Sequence, residues 1–427
     1  MRIAIVGSGI AGLTAAYRLH RDHEIVIFEA NDYAGGHTAT VDVEFGGRHW
    51  AIDTGFIVFN DRTYPRFRAL LDELQVASQP SNMSFSVQCR RTGFEYNGTS
   101  LNAVFAQRTN LFRPSFLRML SEIVRFNREA LDFLNADAGH SMTVDEFLFV
   151  GGYSTEFRDR YLVPMGRAVW SASESSMLGF PARFFIEFFQ RHGFLSINDR
   201  PQWQAVEGGS RTYVQRLLKH LPHALRLRTS IASIRRDPQR VWLRTRHGEV
   251  EGFDYVILAC HSDQALRLLD GPSPAESSIL TAFPYQRNEV VLHTDNCLLP
   301  RRRLARAAWN YHLLATPQDE VAVTYDMNVL QSLVAPHTFL VTLNHSRAID
   351  GRRVLRTFDY HHPIYTPHAV ASQNRWAEIS GVNRTFYCGA YWGSGFHEDG
   401  VVSGERVAAA IAEMAAQTDD RPARLSA

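Results

Sequence analysis

Lysine is almost missing from this chain: of 45 basic residues only Lys219 is a lysine, and the rest are arginines. GC-rich coding accounts for the skew, but its chemical consequence is independent of its cause. A mechanism that needs a buried ammonium has one candidate. It lies in Tyr213-Val214-Gln215-Arg216-Leu217-Leu218-Lys219-His220, a stretch that predicts a surface helix. Cysteine is scarce too. Cys89, Cys260, Cys297 and Cys388 stand far apart with no C-x-x-C spacing, which excludes a disulfide framework and a thiolate zinc site. No apolar run approaches the ~18 residues of a spanning helix. Excess charge is lacking as well: the net value is +1, so nothing global attracts nucleic acid. The first strand pattern begins at residue 2, and no signal peptide is expected. Repeats, low-complexity tracts, a P-loop, a Ser-His-Asp arrangement and a metal-ligand pattern are all absent. These absences predict a cytoplasmic protein, at most peripheral at the inner membrane surface. Its 427 residues suffice for two domains and a large core.

What is present is concentrated at the start. Arg2-Ile3-Ala4-Ile5-Val6 is a short apolar, β-branched run that predicts a buried parallel strand. Gly7-Ser8-Gly9-Ile10-Ala11-Gly12 follows, then a helical pattern to Leu19, then a strand, Glu24 to Phe28, ending on Glu29. A strand, a G-x-G-x-x-G turn, a helix, a strand and an acid in one unit form a dinucleotide-binding fingerprint. Gly7 permits the tight turn, Gly9 lets the backbone approach a pyrophosphate, and Gly12 lets helix and strand pack closely. The helix N-terminus offers free N–H groups to phosphate. Glu29 accepts from ribose hydroxyls and repels a 2′-phosphate.

Downstream, Ala34-Gly35-Gly36-His37-Thr38 and Asp53-Thr54-Gly55-Phe56-Ile57 add a second glycine pair after the acid. This pattern resembles the FAD-dependent amine oxidase superfamily, and the resemblance implies non-covalent FAD. An arginine commonly follows the glycine pair in that family. His37 stands there instead, which implies a weaker or pH-dependent phosphate contact. The fold implied is α/β: a discontinuous Rossmann-like FAD-binding domain of the GR2/amine oxidase type with an inserted mixed α+β substrate domain. The FAD domain is expected to comprise 1–62, 201–280 and 377–417, the substrate domain 63–200 and 281–376, and a flexible tail 418–427. Further cofactor contacts are expected at Ala30, Thr54, Gly55, Phe56, Ile57, Ile231, Gly389, Ala390 and Phe396. Asp399, Gly400 and Val401 are expected at the ribityl chain and the pyrimidine edge. Cys388 is expected to be a buried thiol, not a covalent anchor.

The segments 114–135 and 181–195 are helical in pattern and rich in aromatics. Each reads either as a core helix or as an apolar channel wall or bilayer-lying helix. Pro300-Arg301-Arg302-Arg303 reads as a solvated turn that would suit a phosphate headgroup. Several blocks, among them Met83-Ser84-Phe85-Ser86-Val87, Tyr325-Asp326-Met327-Asn328 and Gly395-Phe396-His397-Glu398-Asp399-Gly400, resemble one branch of the superfamily. That branch comprises bacterial FAD-binding proteins related to the flavoprotein-like half of plant cyclopropane fatty acid synthases. It implies a lipid or fatty-acyl substrate, oxidised or desaturated by hydride transfer to flavin N5, with a separate lipid methyltransferase as partner. His397, then Glu398, then Tyr96 are the candidate bases. Two alternatives stand beside this: a small amine or amino-acid oxidase, against which the lack of lysine argues, and a non-catalytic flavin subunit of a lipid methyltransferase.

Overall fold

The computed structural model describes residues 1–136, 142–196, 198–316 and 318–419. Two sheets take strands from the chain in turn. β1 (Arg2–Val6) and β2 (Glu24–Phe28) open the first, and β3 (Phe85–Cys89) and β4 (Phe94–Asn97) belong to the second. β5 (Leu225–Arg226) and β6 (Tyr255–Leu258) return to the first. β7 (Tyr285–His293), β8 (Trp309–His312), β9 (Val323–Asp326), β10 (Leu340–Leu343) and β11 (Val354–Pro363) complete the second, and β12 (Thr385–Tyr387) closes the first.

The first sheet is parallel, in the order β5-β2-β1-β6-β12. Its central strand is covered on both faces, with Ile3, Ala4 and Ile5 wholly buried, as an unbroken apolar run requires in a parallel sheet. α1 (Ile10–Leu19) leaves the glycine turn and is buried along most of its length. It is clasped by the last described helix, His397–Asp419. A Cβ on Gly404 would lie 2.4 Å from the Ala11 carbonyl oxygen, and one on Gly400 would lie 2.6 Å from Ile10 Cγ2. Two glycines four apart thus let these helices touch backbone to backbone. That helix runs to Asp419 and so takes in the first two residues of the expected flexible tail; 420–427 lie outside the described residues.

The second sheet has the order β11-β7-β10-β9-β8-β3-β4 and is antiparallel except between β8 and β3. Helices from 101–191 pack over it. The stretch Pro114–Asn135 is one helix that buries Phe116, Met119, Phe126 and Ala130, a spacing of three, seven and four that keeps one face inward. The helix Ala182–Arg191 buries Phe185, Ile186, Phe188 and Phe189. Its aromatic face points into the protein, which overturns the bilayer alternative for that helix. No described helix is long and apolar enough to cross a membrane.

Candidate flavin site

The glycine turn sits at the C-terminal end of the first sheet, where open α/β sheets bind ligands. Gly7, at φ +108°, has room for no side chain: a Cβ would lie 2.8 Å from the Ala259 carbonyl oxygen. Gly12 is more crowded still, with a Cβ 2.2 Å from the Gly7 carbonyl oxygen. Gly9 differs from both. A Cβ there would meet nothing within 4 Å, and no side chain caps the α1 N-terminus that Gly9 begins. The amides of Ile10, Ala11 and Gly12 therefore have no capping side chain, and free N–H groups at a helix N-terminus with open space before them suit a diphosphate.

The remaining contacts gather around that space. Glu29, at the end of β2, accepts from Ser8 N (3.0 Å), Ser8 Oγ (2.6 Å) and Asn31 N (2.9 Å). Ala30 beside it is exposed. The chain returning through Arg228 and Thr229 donates to the Asn31 and Glu29 carbonyls at 2.8 Å each, which brings Ile231, 7 % exposed, beside the acid. Gly35 N donates to the Ser8 carbonyl (3.0 Å), and a Cβ on Gly36 would stand 3.2 Å from Gly9 Cα. The second glycine pair is thus laid directly on the first turn. Phe56 N donates to the His37 carbonyl (2.9 Å), and a Cβ on Gly55 would strike that same oxygen at 2.1 Å. Thr54 Oγ1 donates to the Ala39 carbonyl and meets the Tyr360 hydroxyl, both at 3.0 Å. Ile57 faces the second core.

His37 sits in a cluster that sequence reasoning missed. Its ring lies 5.0 Å from Tyr360, 5.4 Å from His362 and 6.2 Å from His261. His37 Nε2 is buried with no partner among the described residues. Burial, reinforced by His361, pulls His37 down to about 4. The hydroxyl of Tyr365 and Nε1 of Trp392 are likewise buried and unpartnered. Orphaned buried polar groups, with an uncapped helix N-terminus in the same protein, call for a polar ligand, and FAD fits them. Cys388 is wholly buried, its thiol pushed up chiefly by burial.

His397 Nε2 lies 2.9 Å from Thr38 Oγ1 and 3.0 Å from the Tyr213 hydroxyl, which also contact each other. The imidazole stacks on Phe56 at 3.5 Å and 10°. Burial drives His397 well below its ordinary value of 6.5, so it is neutral at pH 7. Thr38 and Tyr213 were not foreseen, and no local pattern links them to His397. Phe396 stacks on Phe188 at 4.9 Å. Gly389 N donates to Ser403 Oγ (3.0 Å), and Ala390 opens the turn that follows.

Two expectations need correction. Glu398 does not face this site. Its carboxylate accepts from Arg66 N and Phe67 N, both at 2.9 Å, and so caps the helix Pro65–Glu73. Glu398→Ala is expected to cost about 1–2 kcal/mol in denaturant unfolding while leaving the flavin spectrum unchanged. Tyr96 is on β4, the opposite edge of the second sheet from β11, whose Tyr360 touches His37. Six strand spacings separate those edges, about 28 Å, and the Tyr96 hydroxyl donates to the Arg160 carbonyl (2.6 Å). The Asp399 and Val401 side chains are engaged within the protein. Asp399, raised to about 6 by burial, accepts from Phe396 N (2.9 Å), and Val401 is wholly buried in the first core. Only their backbone remains to meet a cofactor, together with Gly400.

A family model for flavin-containing amine oxidoreductases matches residues 10–295. The chain belongs to that family. As a member it is an FAD-dependent oxidoreductase. The chain is 38 % identical over 103 residues to a 1-hydroxycarotenoid 3,4-desaturase of Flavobacterium sp. (strain P99-3), a match covering 23 % of this chain and 19 % of that protein. The chain thus spans about a fifth of that curated relative's length. Among solved structures it resembles cyclohexylamine oxidase from Brevibacterium oxydans IH-35A, with TM-score 0.69, 16 % identity and coverage of 97 % and 99 % of the two chains. It also resembles a CLA-producing fatty acid isomerase from P. acnes, with TM-score 0.67, 16 % identity and coverage of 96 % and 98 %. At such identities these two structures show the shared fold.

Proposed function

We propose that this enzyme oxidises or desaturates a lipid acyl chain. The observation that carries the reading is an aromatic wall, free of ammonium groups, that reaches Phe396, the residue before His397. Phe396 stacks on Phe188, Phe188 lies 4.6 Å from Trp170, and Phe184 stacks on Tyr365 at 4.9 Å. Trp170 Nε1 donates to the Ser394 carbonyl (3.2 Å), fixing the wall to the loop before His397. Lys219 is exposed near the end of its helix, Arg211–Lys219, two turns beyond Tyr213. A wall of this kind excludes water and suits hydrocarbon. Two proteins that the chain resembles, a 1-hydroxycarotenoid 3,4-desaturase and a CLA-producing fatty acid isomerase, are in keeping with a lipid substrate.

Bound FAD supplies a two-electron acceptor that takes a hydride equivalent from one acyl carbon. The chain's own part is proton removal from the adjacent carbon. His397 is neutral and held at Nε2 by two hydroxyls, while Nδ1 has no partner among the described residues. With the proton on Nε2, Nδ1 carries the free lone pair and accepts the acyl proton as the double bond forms.

Anaerobic titration of the purified flavoprotein tests this. Unsaturated and methyl-branched phospholipids or their free acids are expected to bleach the visible flavin band, with a new double bond in the recovered chain. Bleaching by amines or amino acids alone overturns the proposal in favour of an amine oxidase.

A further inference from the structure

Two arginine-rich segments that are distant in sequence meet on one surface. Residues 98–121 contain Arg108, Arg113 and Arg118 and no carboxylate, and residues 296–318 contain Arg301, Arg302, Arg303 and Arg306 and no carboxylate. In a chain of net charge +1 that is a strong local imbalance. The short helix Leu101–Val104 packs against the turn Arg303–Ala305, and both adjoin β4. The turn Arg108–Phe112 leads from there into the helix Pro114–Asn135.

This surface also carries some of the most exposed large apolar side chains of the protein. Phe112 is 86 % exposed, Leu101 80 % and Leu304 47 %. Two acids reach into the area: Glu156 pairs with Arg118 (3.3 Å), and Glu95 is buried and spent, accepting from Arg301 N (2.9 Å), Arg302 N (3.1 Å) and Arg302 Nη1 (3.1 Å). Arg301 and Arg303 are exposed and have no ion-pair partner among the described residues. Exposed phenylalanine and leucine set among unpaired arginines serve no purpose in water. They match an anionic bilayer, whose phosphates pair with guanidinium groups while aromatic and aliphatic side chains enter the acyl boundary.

We infer that the face formed by Leu101, Phe112, Leu304, Arg301 and Arg303 docks the enzyme peripherally on an anionic lipid surface. The helix that starts beside Phe112 packs on Ala182–Arg191, the helix that carries Phe188 to Phe396. The docking face is therefore one helix layer from the aromatic wall. Docking itself is independent of turnover and of the acyl-chain reading.

Cosedimentation of the full-length holoenzyme with vesicles, without turnover, tests the inference. Binding is expected to phosphatidylcholine vesicles containing phosphatidylglycerol and not to phosphatidylcholine alone. It is expected to fall steeply at about 0.5 M NaCl, where the Debye length is roughly 4 Å. L101S/F112S and R301E/R303E are each expected to weaken binding about tenfold or more, with circular dichroism and flavin content unchanged. Phe149 is 87 % exposed but lies at the end of another helix, Val144–Val150, so F149S is expected to bind as the wild type does. Absence of vesicle binding, or an equal loss in F149S, overturns the assignment of this face. Loss in R301E/R303E with full binding in L101S/F112S also overturns it and leaves a basic surface for an acidic macromolecule.

Discussion

Gly12→Leu is expected to give a protein that purifies without flavin and unfolds far more readily than the wild type, whereas Gly9→Ala keeps the fold and loses the flavin. The two glycines stand three residues apart in one turn and answer to different constraints. A Cβ on Gly12 would lie 2.2 Å from the Gly7 carbonyl oxygen and 3.0 Å from Ala259 Cβ, both parts of the strand-turn-helix framework. No rotamer relieves a clash that begins at Cβ, so α1 must move off β1 and β6. Ile3, Ile5, Leu13 and Ala16, all wholly buried, lose their packing together, and the cost exceeds the ~1–3 kcal/mol of ordinary overpacking. Gly9 has ordinary extended backbone, φ −68° and ψ 175°, with nothing within 4 Å of its Cβ position. Alanine there meets no protein atom and occupies only the space before the helix N-terminus. The check is the ratio of flavin to protein absorbance beside thermal unfolding of both variants. A Gly9→Ala protein with full flavin would show that the diphosphate lies elsewhere.

The sequence exposed that turn because its constraints are local. Strand, glycines, helix and acid occupy the 28 consecutive residues from Arg2 to Glu29, and each residue type is dictated by a neighbour a few positions away. The reach of the glycine pair at Gly35 and Gly36 was legible for the same reason. The partners of His397 were not: Thr38 is 359 residues away and Tyr213 is 184. A threonine and a tyrosine carry no mark of such a meeting until the helix after Ser210 is laid against the Thr38 loop. Glu398 misled because adjacency in sequence is not adjacency in space at the start of a helix. One residue turns the side chain by about 100°, enough to carry it from Thr38 and Tyr213 to the backbone N–H groups of Arg66 and Phe67. Tyr96 misled for a different reason. Strand order in the second sheet is set by long-range pairing, with β3 beside β8 across more than 200 residues. Nothing in Phe94-Glu95-Tyr96-Asn97 shows that it will form the remote edge. The lone lysine was legible because its absence elsewhere needs no structure to read.

Glu276→Ala is expected to cost about 3–5 kcal/mol of stability, because it leaves a buried arginine without its counter-charge. The Arg236 and Glu276 side chains are only 6 % and 2 % exposed, and they form a bidentate pair. The Tyr387 hydroxyl donates to Glu276 Oε1 (2.6 Å) and Ser273 N donates to Oε2 (2.7 Å). This network ties β12, at the edge of the first sheet, to the strand Ile231–Arg236 and the helix Pro274–Leu280. Alanine removes the acceptor of three groups at once and strands the Arg236 guanidinium. The pair itself is a weaker source of stability than its breakage suggests, since both charges were desolvated to form it. The apolar double variant Arg236→Met/Glu276→Leu is therefore expected to recover most of the loss, at the expense of an unpaired Tyr387 hydroxyl. Measurement is by denaturant unfolding of the two single variants and the double variant, the coupling being read from the cycle. Acid tests the same network. Burial pushes Glu276 up, but hydrogen bonds from Arg236, Tyr387 and Ser273 more than offset it, and the carboxyl lies below its ordinary value of 4.5. A depressed folded value means that the contribution is full above the unfolded value and is lost as pH falls through the folded one. The stability gap between wild type and Glu276→Gln is thus expected to be constant from pH 8 to about 5.5 and to narrow as pH falls through the folded value, below 4.5. A gap that does not narrow at all in acid, down to the pH at which the protein unfolds, would assign the stabilisation to packing rather than to the ion pair.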